Sequence, residues 1–262
     1  MKRAHPRGLD RRRVRQLLSK GKDDPSISRR IDIFSRLFLG DSYRSNPLTG
    51  SAERAEVFTA ALDAFDCVTF IETVLALARA SEVCEFSEAL RTIRYRRGCI
   101  EWEWRNHYMT DWIRNNVREG IISPIAMPAV PIVGRERLLN ALPGLAARRI
   151  RMKCVPKRAV AHAAKYLQNG DLMFFASTRR NLDVFHAGII VRGGARPRIR
   201  HASRSQGGVV EQELTDFLKA NRMAGVIVMR PQAIGRGAAV GISEARNLSS
   251  PIRHGAKNRG AR

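Results

Sequence analysis

The segment 65–78, FDCVTFIETVLALA, has the spacing of an amphipathic helix and is the best-defined element of the chain. Asp66 is a favourable N-cap residue, because its carboxylate accepts hydrogen bonds from the free N–H groups of a first helical turn. Apolar residues then recur at spacings of three and four: Val68, Ile71, Val74, Leu75 and Ala78. The pattern predicts a helix that begins directly after Asp66.

Cys67 lies in the first turn of this predicted helix. Free backbone N–H groups and the helix dipole favour negative charge there, so we expect a lowered pKa for the Cys67 thiol. The same N–H groups are suited to hold an oxyanion. The alternative is a core cysteine on an apolar helix. The other cysteines form no C-x-x-C pair, and we predict that Cys84, Cys99 and Cys154 are small buried residues, without deciding whether they pair.

The remaining elements change in type along the chain. Helical spacing predicts helices over residues 26–38, 86–95, 108–117 and 159–167, and short runs predict strands over 57–62 and 100–105. Later runs at 171–176, 187–191, 197–201, 209–211 and 226–229 are separated by Gly, Asn and Pro, as in an antiparallel β-meander. Helices first and strands second, without βαβ alternation, indicate an α+β fold.

Two histidines begin strand-like runs in this second half. His186 opens HAGIIV, and His201 opens HAS one hairpin later. Adjacent antiparallel strands would place the two imidazoles side by side, so that His186 is suited to take the proton of Cys67 and His201 to orient His186. A structural histidine is the alternative in each case. Cysteine and histidine also bind zinc, but no pair has the short spacing of a structural zinc site, and we predict no metal and no cofactor.

The chain is strongly basic, with a formal net charge of +23. Nine Lys/Arg against three Asp/Glu lie in residues 1–24, and six against one lie in residues 235–262. We predict a flexible basic arm over 1–24 with one short helix around Arg12–Leu18. One catalytic domain over 25–234 has an insertion at about 85–160, and a disordered basic tail follows over 235–262. The basic tails would attract polyanions, although no nucleic-acid-binding motif accompanies them.

Four segments together resemble one known family. They are FDCVTFIETVLALA, RNHYMTDW (105–112), GDLMFFAS…LDVFHAGIIV (170–191) and HASRSQGGVVEQELTDFL (201–218). In content and order they are similar to the N-acetylmuramoyl-L-alanine amidase-like family, domain of unknown function 1460 (DUF1460), among the NlpC-type papain-like cysteine hydrolases. The resemblance covers residues 31–231. It implies N-terminal helices packed on a C-terminal antiparallel sheet, and hydrolysis of the amide between N-acetylmuramic acid and L-Ala in peptidoglycan.

The resemblance also implies site residues and a compartment. Cys67 matches the nucleophile, His186 the base and His201 the third triad residue, while Tyr43 matches a tyrosine near the oxyanion. Aromatic and polar residues in the insertion are candidates for the substrate wall: Arg105, Asn106, His107, Tyr108 and Trp112. The family implies a periplasmic or extracellular substrate, yet the first residues have no apolar signal segment and no run is long enough to span a membrane, so the compartment stays open.

Two other functions remain open from the sequence. A papain-like endopeptidase would use the same triad to cut within the stem peptide. A non-catalytic basic protein would bind cell wall or nucleic acid through its Lys and Arg residues, although such a protein has no need for Cys67 or His186.

Overall fold

A computed structural model describes residues 6–21 and 23–233 of the chain. Within them lie seven α-helices: α1 (Arg11–Leu18), α2 (Ile27–Leu37), α3 (Cys67–Ala78), α4 (Val83–Arg94), α5 (Met109–Arg118), α6 (Val160–Ala163) and α7 (Leu214–Ala220). Short 3₁₀ turns occur at Arg96–Gly98, Trp102–Trp104, Lys157–Ala159 and Ala164–Tyr166. No helix of this described part is long and apolar enough to cross a membrane.

The same residues form one curled ten-stranded sheet. Its strands are β1 (Ser42–Tyr43), β2 (Ala64–Phe65), β3 (Ile122–Pro124), β4 (Val133–Leu139), β5 (Arg148–Pro156), β6 (Leu172–Ala176), β7 (Val184–Val191), β8 (Arg198–Ser203), β9 (Gly208–Glu213) and β10 (Gly225–Pro231). The spatial order is β2-β1-β9-β8-β7-β6-β10-β5-β4, and β3 pairs with β10. The predicted meander is confirmed as the consecutive run β6 to β9, with β10 returning beside β6.

The sheet has a hydrophobic core on each face. Residues of α1 to α4 pack with Leu172, Phe174 and Ile189 of the sheet into the larger core. Residues of α6 and α7 pack with Met173 and Phe175 into the second core. Because side chains alternate along a strand, consecutive residues of β6 serve opposite cores. The result is the mixed α+β architecture that the sequence predicts.

Helix α3 begins where the sequence predicts, and its start is fixed by a capping box. The Asp66 carboxylate accepts hydrogen bonds from the N–H groups of Val68 at 3.1 Å and Thr69 at 2.7 Å. The Thr69 hydroxyl lies 3.1 Å from the Asp66 N–H and accepts from it. The helix is buried over nearly its whole length, so Cys67 sits at the open end of an otherwise enclosed element.

Three local predictions are wrong. Residues 57–62 form no strand of their own, and Val57 makes only an isolated bridge to Thr49. The alternating run at 100–105 predicts a strand but forms a 3₁₀ turn at Trp102–Trp104. Strands β4 and β5 fall in a region that the sequence leaves without assigned elements.

The N-terminal segment forms the predicted short helix, as α1, but this helix packs on the core and is not part of a flexible arm. Residues 6–21 are ordered against the core, and the apolar side of α1 is buried at Val14, Leu17 and Leu18. The Arg7 N–H also donates to the Phe58 carbonyl. The spacing of these apolar residues at i, i+3 and i+4 gives the segment a face to bury. Residues 1–5 and the predicted tail at 235–262 lie outside the described part.

Strands β4 and β5 form a basic ribbon, by which we mean residues 133–139 and 148–156. Six Lys or Arg residues and one acidic residue, Glu136, occur in it. Register places Glu136 opposite Arg151 and Leu138 opposite Arg149. Strand β4 is the last strand at its end of the sheet, and the carbonyl of Arg180 accepts from the Leu138 N–H at 3.0 Å.

Candidate active site

Cys67 is partly exposed at the first turn of α3, and its thiol lies against strand β7. The N–H groups of Ala187, Cys67 and Val68 donate toward the sulfur. Ala187 directly follows His186 in the chain. The helix start and the strand therefore bring the thiol to the main chain next to His186.

The expected lowering of the Cys67 pKa is wrong. Burial raises the pKa of the thiol to about 12, and the negative charge of Asp66 adds to the rise, while the three N–H groups offset only part of it. The physical reason is the cap itself. Asp66 already accepts the Val68 and Thr69 N–H groups, so the helix start is partly neutralised before it can act on the sulfur. The free thiol is thus neutral.

His186 and His201 meet where two strands separate. Strands β7 and β8 pair at Ile189 with Arg200 and at the two following positions, but not at the residues nearer the site. Beyond that point β7 pairs with β6, and β8 continues with β9. Across the opening, His186 Nε2 lies 2.7 Å from His201 Nδ1. The adjacency predicted from the sequence is confirmed as a direct hydrogen bond.

Gly188 keeps this part of β7 close to β8. A Cβ atom added at Gly188 would lie 2.7 Å from the Ile199 side chain and 3.1 Å from the Arg200 carbonyl oxygen. A larger residue would push the two strands apart directly beside the His186–His201 bond. The close packing of β7 on β8 therefore explains why a glycine occupies this position in HAGIIV.

Aromatic side chains pack against the histidine pair. Phe217 of α7 stacks on His186, with ring centroids 5.3 Å apart, and makes an edge contact with His201 at 5.2 Å. Phe175 lies 6.1 Å from His186. Burial lowers the pKa of His186 to about 3, with the nearby His201 as a second cause, and lowers the pKa of His201 to about 4. Both imidazoles are therefore neutral at pH 7.

Gln212 of β9 completes the polar contacts of the pair. Its Nε2 lies 3.1 Å from His201 Nε2, and its Oε1 accepts from Gln206 Nε2 at 3.4 Å. Because His201 pairs with Val210, Gln212 lies two residues along β9 on the same face. The hydrogen-bonded side chains thus run from His186 through His201 and Gln212 to Gln206, two imidazoles followed by two amides.

Tyr43 of β1 lies close to the thiol. Burial raises the pKa of its phenol, with the negative forms of Cys67 and Asp66 as further causes, while Ser45 and Arg204 act in the opposite direction. The Tyr43 N–H donates to the Gly207 carbonyl at 2.8 Å, which fixes β1 against the β8–β9 turn. The phenol of Tyr43 is thus within electrostatic range of Cys67, and its role at the oxyanion stays a prediction.

Comparison with known proteins identifies the family. The profile of the AmiA-like, N-acetylmuramoyl-L-alanine amidase-like family matches residues 33–226. This chain belongs to the AmiA-like family. The match spans the helix that carries Cys67 and the strands that carry both histidines. No curated protein matches the chain.

Solved structures share the fold of this family member. A DUF1460 protein from Legionella pneumophila is 20% identical with a TM-score of 0.75, over 84% of this chain and 94% of that one. An N-acetylmuramoyl-L-alanine amidase from Bacteroides uniformis is 24% identical with a TM-score of 0.69, over 79% of this chain and 99% of that one. At these identities the likeness shows a common fold.

The AmiA-like chain uses most side chains of segment 105–112 inside the protein. Asn106 and Tyr108 are buried, and they bind the Ile93 carbonyl and the Ala141 N–H. Trp112 is fully buried and donates to Glu72 at 3.1 Å. Trp112 lies in the core, whereas Asn106 and Tyr108 border the groove described next, and their contact with substrate stays a prediction.

Arg105 and His107 are less enclosed than their neighbours. Arg105 pairs with the buried Glu56 at 3.0 Å, and His107 Nε2 lies 2.6 Å from the Trp102 carbonyl oxygen. Burial lowers the pKa of His107 to about 4. Both residues line a groove of about 410 Å³ together with Trp104. A substrate contact in this groove stays a prediction.

Several important residues were not predicted. Glu72, for which the sequence suggests no role, is buried and accepts from Arg94 at 2.7 Å as well as from Trp112. It joins α3 to α4 and α5. The sequence analysis also predicts no role for Gln212 or Phe217. The helical spacing of Leu214, Phe217 and Leu218 is the signal that indicates α7.

The other cysteines are unpaired in this structure. Cys154 is buried as predicted, whereas Cys84 and Cys99 are only half-buried. No group of three His, Cys, Asp or Glu side chains in the described residues is placed to hold a metal ion.

Proposed function

We propose that this chain is a cysteine amidase that hydrolyses the bond between N-acetylmuramic acid and L-Ala in peptidoglycan fragments. One observation carries the proposal: a thiol at a helix start lies at the main chain beside His186, which is hydrogen-bonded to His201. Membership of the amidase-like family supports the class of substrate. A cysteine helix packed on a sheet that carries the histidines supports an NlpC-type, papain-like relationship.

The first step is attack by sulfur with His186 as general base. Both groups are neutral at rest, so the thiol must lose its proton as it attacks. Since His186 Nε2 faces His201, the other ring nitrogen, Nδ1, is left to take that proton. The Cys67 Sγ–carbon bond forms at the lactyl carbonyl, and the C=O π electrons move to oxygen.

The second step releases the peptide. The tetrahedral oxyanion collapses, the C–N bond breaks, and His186 gives its proton to the leaving amine of L-Ala. The muramoyl group remains as a thioester on Cys67. Water then attacks the thioester with its proton passing to His186, and the muramic acid leaves as the thiol is restored.

The oxyanion needs hydrogen-bond donors near the sulfur. Asp66 accepts the Val68 and Thr69 N–H groups, so we assign the Cys67 N–H, which donates only toward the sulfur in the free protein, as the donor from the helix start. We assign the hydroxyl of Tyr43 as the second donor, because it lies near the sulfur. The two come from different elements, α3 and β1, which the sheet holds together.

The test is a digest of defined muropeptides, read by mass spectrometry. Wild type should release peptides that begin with L-Ala, and Cys67→Ser should lose more than about 10³-fold in rate while keeping its fold. Cys99→Ser is the matched control, since Cys99 is also a half-buried free thiol and lies outside the site.

Other outcomes separate the alternatives. Products cut within the stem peptide would keep the triad and overturn the amidase specificity. A Cys67→Ser variant as active as wild type would overturn the cysteine mechanism. If wild type cuts no muropeptide, the non-catalytic binding function gains the support that the amidase loses.

A further inference from the structure

The hydrogen bonds beyond His201 decide which nitrogen of His186 can act as a base. A neutral imidazole carries one N–H, so each ring has one donor and one acceptor. For His186 Nδ1 to accept the thiol proton, its own proton must be on Nε2, which then donates to His201 Nδ1. His201 must then carry its proton on Nε2. The group facing His201 Nε2 must therefore be an acceptor.

Gln212 is the residue that faces this nitrogen, at 3.1 Å. If the Gln212 amide N–H points toward His201, it donates to His201 Nε2, and His201 then donates from Nδ1 to His186 Nε2. His186 would then carry its own proton on Nδ1, and this nitrogen could not accept the proton of Cys67. Rotation of the amide by about 180° exchanges its nitrogen and oxygen and presents the carbonyl to His201. The Gln206 amide, 3.4 Å away, can follow the same exchange, because it too has both a donor and an acceptor.

We propose that Gln212 is a positioning residue of the active site, whose carbonyl oxygen accepts from His201 Nε2 and thereby makes His186 Nδ1 the base. This inference rests on the proposed function. It extends the site from three residues to four, and it defines two arrangements of the same side chains. Only the arrangement with the Gln212 carbonyl toward His201 is competent for thiol attack.

The packing around the pair favours control by this amide. Phe217 and Phe175 cover the imidazoles with apolar rings that neither donate nor accept a strong hydrogen bond. Glu211, the acidic neighbour of Gln212, forms salt bridges with Arg198 and Arg200 on the opposite face of β9. The titratable groups near the site are Cys67 and Asp66 on α3, Tyr43 on β1 and Arg204 on the β8–β9 turn.

Three substitutions at position 212 test whether His201 needs a hydrogen-bond acceptor there, because the new side chain can only accept, can only donate, or can do neither. Gln212→Glu supplies only acceptors and should keep kcat within about tenfold of wild type. Gln212→Leu supplies neither and should lower kcat by about 10- to 100-fold, and Gln212→Lys supplies only donors and should lower it further, as a wrong tautomer does in a triad. Gln16→Leu on the exposed side of α1 is the control and should match wild type.

Two further readouts distinguish positioning from a packing defect. The carboxylate in Gln212→Glu favours the cationic form of His201, so its pKa rises and the acid limb of the kcat profile moves to higher pH. Nitrogen-15 NMR of the histidine rings should show the Nε2–H tautomer of both residues in wild type and its loss at His186 in Gln212→Lys.

The outcomes are distinguishable from failure of the proposed function. If wild type cleaves muropeptides and Gln212→Leu has the same kcat and pH profile, the positioning role is wrong while the amidase stands. If Gln212→Lys is more active than Gln212→Glu, the direction of the chain is wrong. If wild type itself cleaves nothing, the proposed function fails, and the NMR tautomers still test the arrangement.

Discussion

At the scale of single residues, the proposed mechanism starts from two reacting groups that are both uncharged before substrate binds. A papain-like ion pair would need a lowered pKa for the thiol, whereas burial and Asp66 raise the Cys67 pKa to about 12. The low pKa of His186, about 3, has the same origin in burial. General-base attack is therefore the mechanism that these environments favour.

The first prediction concerns pH. A base with a lowered pKa stays neutral, and so active, to lower pH than an ordinary histidine with a pKa of 6.5. We expect kcat/KM to hold as pH falls through 6.5 and to decline only as the pKa values of about 4 for His201 and about 3 for His186 are approached. A kcat/KM profile from about pH 3 to 8 measures this. A midpoint near 6.5 would contradict it.

The second prediction separates the charge of Asp66 from its capping role. Asp66→Asn keeps a side-chain oxygen for the Val68 and Thr69 N–H groups but removes the negative charge, so the pKa of Cys67 should fall. Alkylation of Cys67 by iodoacetamide at about pH 8 should then become faster, because the thiolate is the reactive form. Peptide mapping measures the rate, with Cys99 in the same sample as the internal reference. An unchanged rate would mean that the carboxylate does not control the thiol.

At the scale of elements, the N-terminal helix α1 packs into the larger core. Leu17 of α1 is buried in the larger core, whereas Arg11 on the opposite side is exposed. Leu17→Ala should lower the free energy of unfolding by about 2–4 kcal/mol, because it leaves a cavity. Arg11→Ala should change it by less than about 0.5 kcal/mol. Equal urea midpoints for the two variants would show that α1 is dispensable for stability.

The elements also show what can be predicted from this sequence. Strands β6 to β10 were predicted because short apolar runs end at glycines such as Gly170 and Gly207, and α3 because Asp66 precedes a periodic run. Strands β4 and β5 were missed because six of their sixteen residues are Lys or Arg, and a strand on the sheet margin needs little apolar content. Alternation failed at Trp102–Trp104, where Trp102 packs on His107 instead of joining a ladder.

The site follows the same division. Cys67, His186 and His201 stand in recognisable motifs, so the sequence predicts them. The structure joins the two histidines by a hydrogen bond and places the Cys67 sulfur at the Ala187 N–H, while their catalytic roles stay a prediction. Gln212 and Phe217 act only through contacts between β9, α7 and β8, which no local pattern contains. Trp112 has a residue type that suits a substrate wall, but it is fully buried in the core instead.

At the scale of the whole molecule, part of the excess positive charge is concentrated on the basic ribbon. The basic ribbon lies at one end of the sheet, where Arg135, Arg149 and Arg151 are exposed together with the apolar side chain of Leu138. Strand β4 has no strand on its outer side in the described part of the chain. An unpaired strand margin is a template on which a second chain can hydrogen-bond.

We therefore expect the arginines of the ribbon to oppose self-association. Charge repulsion between two such margins opposes the pairing that their backbones would otherwise favour. Replacing Arg135, Arg149 and Arg151 together by Gln should cause concentration-dependent oligomers in light scattering. A control with the same loss of charge replaces Arg11, Arg12 and Arg15 of α1 by Gln and should stay as monodisperse as wild type. If both variants remain monodisperse, the margin is protected by the chain's shape, and the ribbon's charge does not keep the protein from aggregating.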